Sequence, residues 1–369
     1  MESAPETGPA AGSTLHNLLE PVSLIRHFQE HPPDGFSTLK LCGGTPGFAA
    51  VFDLLTTMEP ALLRKLDRWP FASTWRRFLR VQTAFVGTTV SEYALLPQTP
   101  EPKHLVRDLI EAIAPRYPFL IIKDLPTEAV LIGDEAFKTS RSVADACTEN
   151  GFVLVAGQAL AYVPIDFAST DEYLARLSHA RRKNIRRKLA RAANLTITET
   201  PTGHASFEDE ALLCRMYELY LNVYRQSEVH FDRLTPEFFR AVLQDESLDG
   251  IVFMYQAGGE LIGYNLCIRA RAMLLDKYVG FAYPQSHQYN LYAVSWMHNI
   301  EYALSHGLRY YVAGWTDPEI KRSLGARFTF TEHAVYVRSA LLRTLLKPFK
   351  RFFESDRKWQ DGRVSRAHS

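Results

Sequence analysis

The sequence has little of what marks several large classes of protein. Its 369 residues include only four cysteines, and none is spaced with another as in a zinc or redox motif. No apolar run reaches about 18 residues, so we predict no membrane-spanning helix. The first residues are acidic, small and proline-containing, unlike a secretory signal. The formal charge of +1 argues against a general nucleic-acid binder. These absences predict a cytoplasmic protein without a metal site.

The composition allows a large core and more than one domain. Hydrophobic residues make up 46% of the chain and aromatic residues 12%, and the length predicts two or three domains. The first residues lack the apolar side chains needed to offset the entropy of ordering. We predict a disordered tail (1–14), an N-terminal half (15–165), a C-terminal half (166–340) and a basic amphipathic tail (341–369).

The second half has the clearer pattern of secondary structure. Ser169 to Glu172 forms a capping box, which predicts a helix running to about Ala193. The elements that follow are two helices (208–226 and from 235), a hairpin (250–255 and 261–269), a strand (274–281), a helix (291–305) and two strands (309–315 and 328–337). The first half repeats this order loosely, with strands before a helix at 103–114 and a strand at 118–123.

Two segments carry an excess of positive charge. Eight Lys or Arg and no acidic residue lie between Arg176 and Arg191, which predicts an anion-binding helix; a solvent-exposed face is the alternative. The residues expected to bind the anion are Arg182, Lys183, Arg186 and Arg187. The segment from Arg343 to Ser369 contains eight Lys or Arg and only three acidic residues, together with leucines and phenylalanines. This composition suits binding to a membrane surface, and docking of the tail on the protein core is the alternative.

Polar groups within residues 274–325 suggest where chemistry occurs. Asp276 lies in the middle of a predicted strand. We predict that it acts as a base or orients the amine, and a surface ion pair is the alternative. Tyr278 is expected on the same face of the strand, where it would donate to an oxyanion or simply pack. His298 lies inside the following helix, as a further candidate base or as an inert buried histidine. These three residues are the predicted catalytic groups.

Five residues around the same helix and strand are predicted to bind substrate. Tyr289 and Tyr292 either line the mouth of the site or pack, and Asn290 either binds substrate or caps the helix. Lys321 and Arg322 lie in a loop after a strand end, where they would meet a phosphate or a carbonyl.

The order of elements, with three groups of residues, resembles the GNAT acyltransferases and more narrowly the FemAB-like acyltransferases. The groups are the basic segment 181–188, the segments 276–280 and 289–292, and the segments 306–309 and 321–326. The resemblance covers about 165–340 well and 35–165 weakly. It implies an α/β (α+β) fold of two GNAT-like halves, with mixed, mostly antiparallel sheets flanked by helices.

One departure from that family bears on the donor. The usual acetyl-CoA pyrophosphate loop is absent after the third strand, where Tyr283 to His287 stands instead. The resemblance therefore implies an N-acyltransferase that uses a long acyl-CoA or an acyl carrier protein as cosubstrate, with no tightly bound cofactor. The acceptor would be a primary amine, and a long-chain amine, as in the bacterial ceramide synthases, is one candidate. Peripheral contact with an anionic membrane, on its inner face, is a further expectation.

Two alternatives stay open. A FemAB-like transferase acting on a cell-wall precursor would take its group from aminoacyl-tRNA, the one case with a nucleic-acid partner. A GNAT-fold module that only docks on a membrane or carrier protein would catalyse nothing.

Overall fold

The computed structural model describes residues 15–53, 79–98, 101–227 and 231–339, so both predicted tails, 1–14 and 341–369, lie outside the described residues. The strands are β1 Leu15–His16, β2 Ser37–Lys40, β3 Pro46–Asp53, β4 Arg80–Val86, β5 Leu96–Pro97, β6 Phe119–Pro126, β7 Val153–Pro164, β8 Thr196–Pro201, β9 Gly250–Ala257, β10 Glu260–Ala270, β11 Met273–Phe281, β12 Tyr310–Gly314 and β13 Arg327–Val337. The helices are α1 Val22–Glu30, α2 Pro102–Ile113, α3 Asp134–Glu149, α4 Thr170–Ala175, α5 His179–Arg191, α6 Glu210–Gln226, α7 Pro236–Leu243, α8 Gln285–Gln288, α9 Leu291–Ser305 and α10 Pro318–Ser323.

One large sheet dominates the described part of the chain. Its eleven strands lie in the order β2-β3-β4-β6-β13-β7-β12-β11-β10-β9-β8. Neighbours are antiparallel except for β4 with β6 and β11 with β12, which are parallel. The predicted fold class, a mixed and mostly antiparallel α/β (α+β) arrangement flanked by helices, is confirmed. Within the described ranges, no helix combines the length and apolarity needed to cross a bilayer.

The two halves of the chain interleave in the middle of this sheet, where each contributes a strand that pairs with strands of the other. β7 follows the first-half strands in sequence, yet it pairs with β12 on one side and β13 on the other. β13 is the last described strand, yet it also pairs with β6. Each parallel pair has a helix in its connection, α2 between β4 and β6 and α9 between β11 and β12. The first half thus repeats, more loosely, the element order of the second.

Helices α6 and α9 pack on opposite faces of the sheet. A Cβ placed on Gly263 would meet Leu291 of α9, whereas a Cβ placed on Gly280 would meet Leu219 of α6. Gly280 pairs with Tyr264, the residue next to Gly263, and successive strand residues point to opposite faces. Residues of β11 can therefore reach α9 or α6, but not both.

The helix predicted from Ser169 to Ala193 is two helices, α4 and α5. The Ser169 hydroxyl accepts a hydrogen bond from the Glu172 backbone N–H at 3.1 Å, as the capping box predicts. A second cap explains the break, because the Ser178 hydroxyl accepts from the Arg181 backbone N–H at 3.4 Å. Only Ile185 of α5 is buried, so most of its cations face outwards.

Candidate active site

Strands β11 and β12 separate after a short parallel contact. They pair only from Met273 to Leu275 on β11 and from Tyr310 to Val312 on β12. Asp276 and Gly314 lie just past these pairs. A Cβ placed on Gly314 would lie 3.8 Å from the Asp276 carbonyl oxygen and 4.0 Å from Lys321 Nζ. We call this opening, with Lys321 beside it, the β11–β12 gap.

Lys321 is a buried cation beside the gap. Helix α10 carries it, and its residue is 3% exposed. Burial lowers its pKa to about 8, and the carboxylates of Asp276, Asp317 and Glu92 limit the fall. Its side chain donates no hydrogen bond, and forms no ion pair within 4.0 Å, to any other residue that the structure describes. Lys321 therefore has donor capacity that the described protein does not use.

Asp276 lies in a network of polar side chains. It accepts hydrogen bonds from Asn265 Nδ2 at 3.0 and 3.1 Å, from Asn299 Nδ2 at 3.1 Å and from the Tyr311 hydroxyl at 2.9 Å. The Cys267 thiol lies 3.8 Å from its Oδ1. Burial raises the pKa of the Asp276 carboxyl, and the bonds from Asn265 and Tyr311 oppose the rise. The network fixes the carboxylate, whose role as a base stays a prediction.

A β-bulge changes the direction of the next two side chains. The pairing with β10 shifts between Asp276 and Tyr278, which leaves Lys277 as an extra residue. Asp276 contacts Asn299 of α9, whereas the Tyr278 ring packs edge-on against Phe238 of α7 at 5.8 Å. The expectation that Tyr278 shares the face of Asp276 is therefore wrong. The Tyr278 hydroxyl is buried without a partner in the described ranges, and burial raises its pKa well above the ordinary value.

Lys277 joins two glutamates from the first half. Its Nζ lies 2.9 Å from Glu20 Oε1 and 2.6 Å from Glu92 Oε1, and the Glu92 backbone N–H donates to Glu20 Oε1 at 2.9 Å. Burial would lower the pKa of Lys277, but the two carboxylates raise it above its ordinary value. Burial raises the pKa of Glu92, which Lys277 opposes. We call these three residues the Glu20–Lys277–Glu92 cluster.

Three of the predicted substrate-binding residues lie at the start of α9. Burial raises the pKa of Tyr292, and the charges of Asp317 and Asp276 raise it further, so this tyrosine lies near both carboxylates. Asn290 precedes α9 with a left-handed φ of +53°, but its side chain does not cap the helix. Its Nδ2 is buried and unpartnered among the described residues. Tyr289 is half-buried beside it.

His298 lies away from the gap. Its Nε2 is 3.2 Å from Glu199 Oε1 of β8, and its ring stands edge-on to Phe253 of β9 at 4.6 Å. Burial lowers its pKa. The structure thus brings Asn299, rather than His298, to Asp276.

The first turn of the basic helix α5 contacts α10, and the segment before α5 packs against a residue just after α10. Arg181 Nη1 donates to the Arg322 carbonyl oxygen at 3.4 Å. At Gly325, where φ is +104°, a Cβ would lie 2.9 Å from both Leu177 and the Tyr173 hydroxyl, so only glycine permits this approach. Anions bound by α5 would therefore lie close to the helix that carries Lys321.

The four predicted anion-binding residues differ in their contacts. Arg186 pairs with Asp171 at 3.0 Å, Arg187 donates to Asn184 Oδ1 at 2.8 Å, and Arg182 donates to a backbone oxygen at 3.4 Å. Lys183 is exposed. Surface contacts of this kind are weak, so an anion could displace them.

Sequence reasoning missed five polar residues around the gap: Glu20, Glu92, Asn265, Asn299 and Tyr311. Asn265 stands inside an otherwise apolar stretch, and a lone amide in such a stretch is a usable signal of a buried polar network. Asn299 lies between His298 and Glu301 and gives no such signal. The two glutamates lie in the first half, where no local pattern connects them to β11.

Comparison with known proteins identifies the family. The profile of the FemAB-like family, described as peptidoglycan biosynthesis/recognition, matches residues 127–366. The chain belongs to the FemAB-like family. The predicted FemAB-like resemblance is thereby confirmed. Comparison of this FemAB-like protein with the curated protein sequences gave no significant match.

Solved structures share the fold of this FemAB-like protein at low identity. FemX is 12% identical over 90% of this chain and 95% of its own, with a TM-score of 0.51. L-PGS from Bacillus licheniformis is 8% identical over 92% and 98%, with a TM-score of 0.50. The C-terminal domain of a putative lysylphosphatidylglycerol synthetase from Agrobacterium fabrum is 12% identical over 88% of each chain, with a TM-score of 0.49.

Proposed function

We propose that this FemAB-like protein transfers an acyl group from a thioester, acyl-CoA or an acyl carrier protein, to a primary amine. Family membership and the fold shared with FemX and L-PGS support a transferase of acyl or aminoacyl groups. The observation that carries the proposal is the buried Lys321 beside the gap, which has no ion-pair or hydrogen-bond partner among the described residues.

Lys321 suits the charge that develops during acyl transfer. With a pKa of about 8, it is protonated in about nine molecules of ten at pH 7. Its side chain is buried, and its ammonium donors have no partner among the described residues. When an amine attacks a thioester, negative charge forms on the carbonyl oxygen, and a fixed cation stabilises that charge without reorganising. We assign Lys321 this role.

Asp276 acts through Lys321. Its carboxylate is held by Asn265, Asn299 and Tyr311, and its charge keeps the pKa of Lys321 from falling further. Asp276 is thus a positioning residue, which maintains the cation at neutral pH. The amine nitrogen attacks the acyl carbon, the C–N bond forms, and the C–S bond breaks to release the thiol.

Two surfaces around the gap fit the substrates. The exposed cations of α5 would hold phosphates of the donor next to α10. Tyr289, Tyr292 and Trp315 are partly buried against the core, and Trp315 directly follows Gly314 at the gap. Aromatic rings there would suit an apolar chain, so the acceptor we favour is a long-chain, sphingoid-like amine, as in the bacterial ceramide synthases.

A second candidate is aminoacyl transfer from tRNA to a cell-wall precursor. The family description, peptidoglycan biosynthesis/recognition, favours it, and α5 would then bind the tRNA backbone. Lys321 would play the same part, because the aminoacyl ester also passes through an oxyanion.

A mass-spectrometric screen tests the proposal. The purified protein is mixed with acyl-CoAs of graded length, acyl carrier protein or charged tRNA, each with a panel of amines that includes long-chain amino alcohols. We expect the wild type to form an amide from a thioester donor, and the Lys321→Met variant to form the same amide far more slowly. Product from charged tRNA alone would replace the proposal with the second candidate. No product from any donor would support a docking module.

A further inference from the structure

The Glu20–Lys277–Glu92 cluster contains acceptor atoms that nothing satisfies. Lys277 Nζ binds one oxygen of each glutamate. The other oxygens, Glu20 Oε2 and Glu92 Oε2, are buried without a hydrogen-bond partner among the described residues. The side chains of Glu20 and Glu92 are 0% and 4% exposed, so bulk water does not reach them. Buried carboxylate oxygens without donors are costly, so these two oxygens call for a partner such as water, an ion or a bound ligand.

The charge of the cluster specifies the missing ligand. One lysine faces two glutamates, so the ionised cluster carries one surplus negative charge. A cation that brings several N–H donors would both balance this charge and fill the unused lone pairs. A primary ammonium group brings three donors and one positive charge, which matches both requirements.

The cluster lies next to the proposed reaction centre. The charge of Glu92 acts on Lys321. The ring of Tyr93, the next residue, stands edge-on to Trp315 at 6.4 Å, and Trp315 follows the glycine that borders the gap. Lys277 and Asp276 are consecutive on β11. A group bound at Glu92 would therefore be adjacent to an acyl group held at Lys321.

We propose that the Glu20–Lys277–Glu92 cluster binds the ammonium group of the acceptor and that Glu92 takes its proton. The inference rests on the proposed function and assigns the amine subsite to that reaction. The ammonium transfers one proton to the Glu92 carboxylate, which leaves a neutral amine. That amine attacks the acyl carbon, and its second proton leaves with the thiolate as the C–S bond breaks. The alternative is an ion-pair cluster that only fastens the first half to β11.

Amine binding measured in the absence of the acyl donor distinguishes an ammonium subsite from an ion-pair cluster with only a structural role. We would titrate the full-length protein with n-octylamine and with n-octanol, its uncharged analogue, by calorimetry between pH 5.5 and 8. The wild type should prefer the amine by about tenfold to a hundredfold, the range of a hydrogen bond to a charged group. This preference should grow as the pH rises, because a protonated Glu92 lacks the negative charge that attracts the ammonium. Glu92→Gln should abolish both the preference and its pH dependence.

A matched variant controls for the loss of an ion pair. Glu332→Gln removes the Arg141–Glu332 pair, which links α3 to β13 away from the gap, and should leave amine binding unchanged. If Glu92→Gln does not fold, Glu92→Asp keeps the charge and should bind the amine more weakly with the same pH dependence. Equal binding of amine and alcohol by the wild type, or an unchanged preference in a folded Glu92 variant, would overturn the inference. Because no donor is present, this result is independent of whether thioester transfer is found.

Discussion

Replacement of Lys321 should stabilise the protein while it removes activity. A pKa that falls from 10.5 to about 8 means that burial disfavours the charged form by roughly 3 kcal/mol, at about 1.4 kcal/mol per pH unit. Lys321→Met removes this cost and keeps the apolar stem. This cost is already net of the attraction to Asp276, Asp317 and Glu92, and the shorter methionine gives up some packing, so we expect an increase of about 1–3 kcal/mol in the free energy of unfolding at pH 7.

The size of this stabilisation depends on pH. Because the folded state binds the proton less tightly than the unfolded state, the cost is complete below pH 8. It shrinks as the pH rises from about 8 and vanishes above 10.5. The difference between wild type and Lys321→Met should therefore be largest near pH 7 and should narrow towards pH 10. Urea unfolding followed by circular dichroism at several pH values measures it.

The same change should slow acyl transfer. Loss of one oxyanion-stabilising group typically costs a factor of about 10²–10³ in kcat. In the wild type, kcat/KM should decline at high pH with a midpoint near 8, as Lys321 loses its proton. Lys321→Arg, which keeps its charge, should show no such decline. A Lys321→Met variant that is less stable than the wild type at pH 7 would refute the assignment of a costly buried cation. A variant that is equally active would refute the role of Lys321 in stabilising the oxyanion.

Three further changes probe the surroundings of the gap. Asp276→Asn should shift the alkaline decline of kcat/KM below pH 8, because the charge of Asp276 raises the pKa of Lys321. An unchanged midpoint would show that Asp276 does not control the pKa of Lys321. Gly325→Ala should cost about 1–3 kcal/mol in urea unfolding, because it combines a φ of +104° with contacts of 2.9 Å; unchanged stability would argue against this packing. The third change replaces the four α5 cations with glutamine: Arg182, Lys183, Arg186 and Arg187. We expect weaker binding of the acyl donor at low salt but not at about 1 M salt, where the charges are screened. Equal affinity of the variant and the wild type at every salt concentration would show that α5 does not bind the donor.

Local patterns in the sequence were enough to predict much of the fold. The helix predicted at 291–305 is Leu291–Ser305, and the strand predicted at 274–281 is Met273–Phe281. Periodicity and helix-ending glycine act over a few residues, so these elements follow from neighbouring side chains. Ser178 shows the limit of this reasoning, because a second cap inside a helical pattern divided one predicted helix into two.

The candidate site was less predictable because it depends on distant pairs and on one inserted residue. Lys277 meets Glu20 and Glu92 across 257 and 185 residues of sequence. The bulge at Lys277 reversed the expected face of Tyr278, since an extra residue shifts the two-residue alternation of a strand. Lys321 came from family resemblance, whereas its burial and lack of a partner required the structure.

The interleaving of β7 and β13 limits how this molecule can move. Many two-lobed enzymes admit substrate by a hinge that swings the lobes apart. Here such a swing would tear β13 from β6 or β7 from β12, which are ladders of backbone hydrogen bonds in the centre of the sheet. Under the proposed function, substrates would therefore reach the gap past the segments that border it, without separation of the two halves.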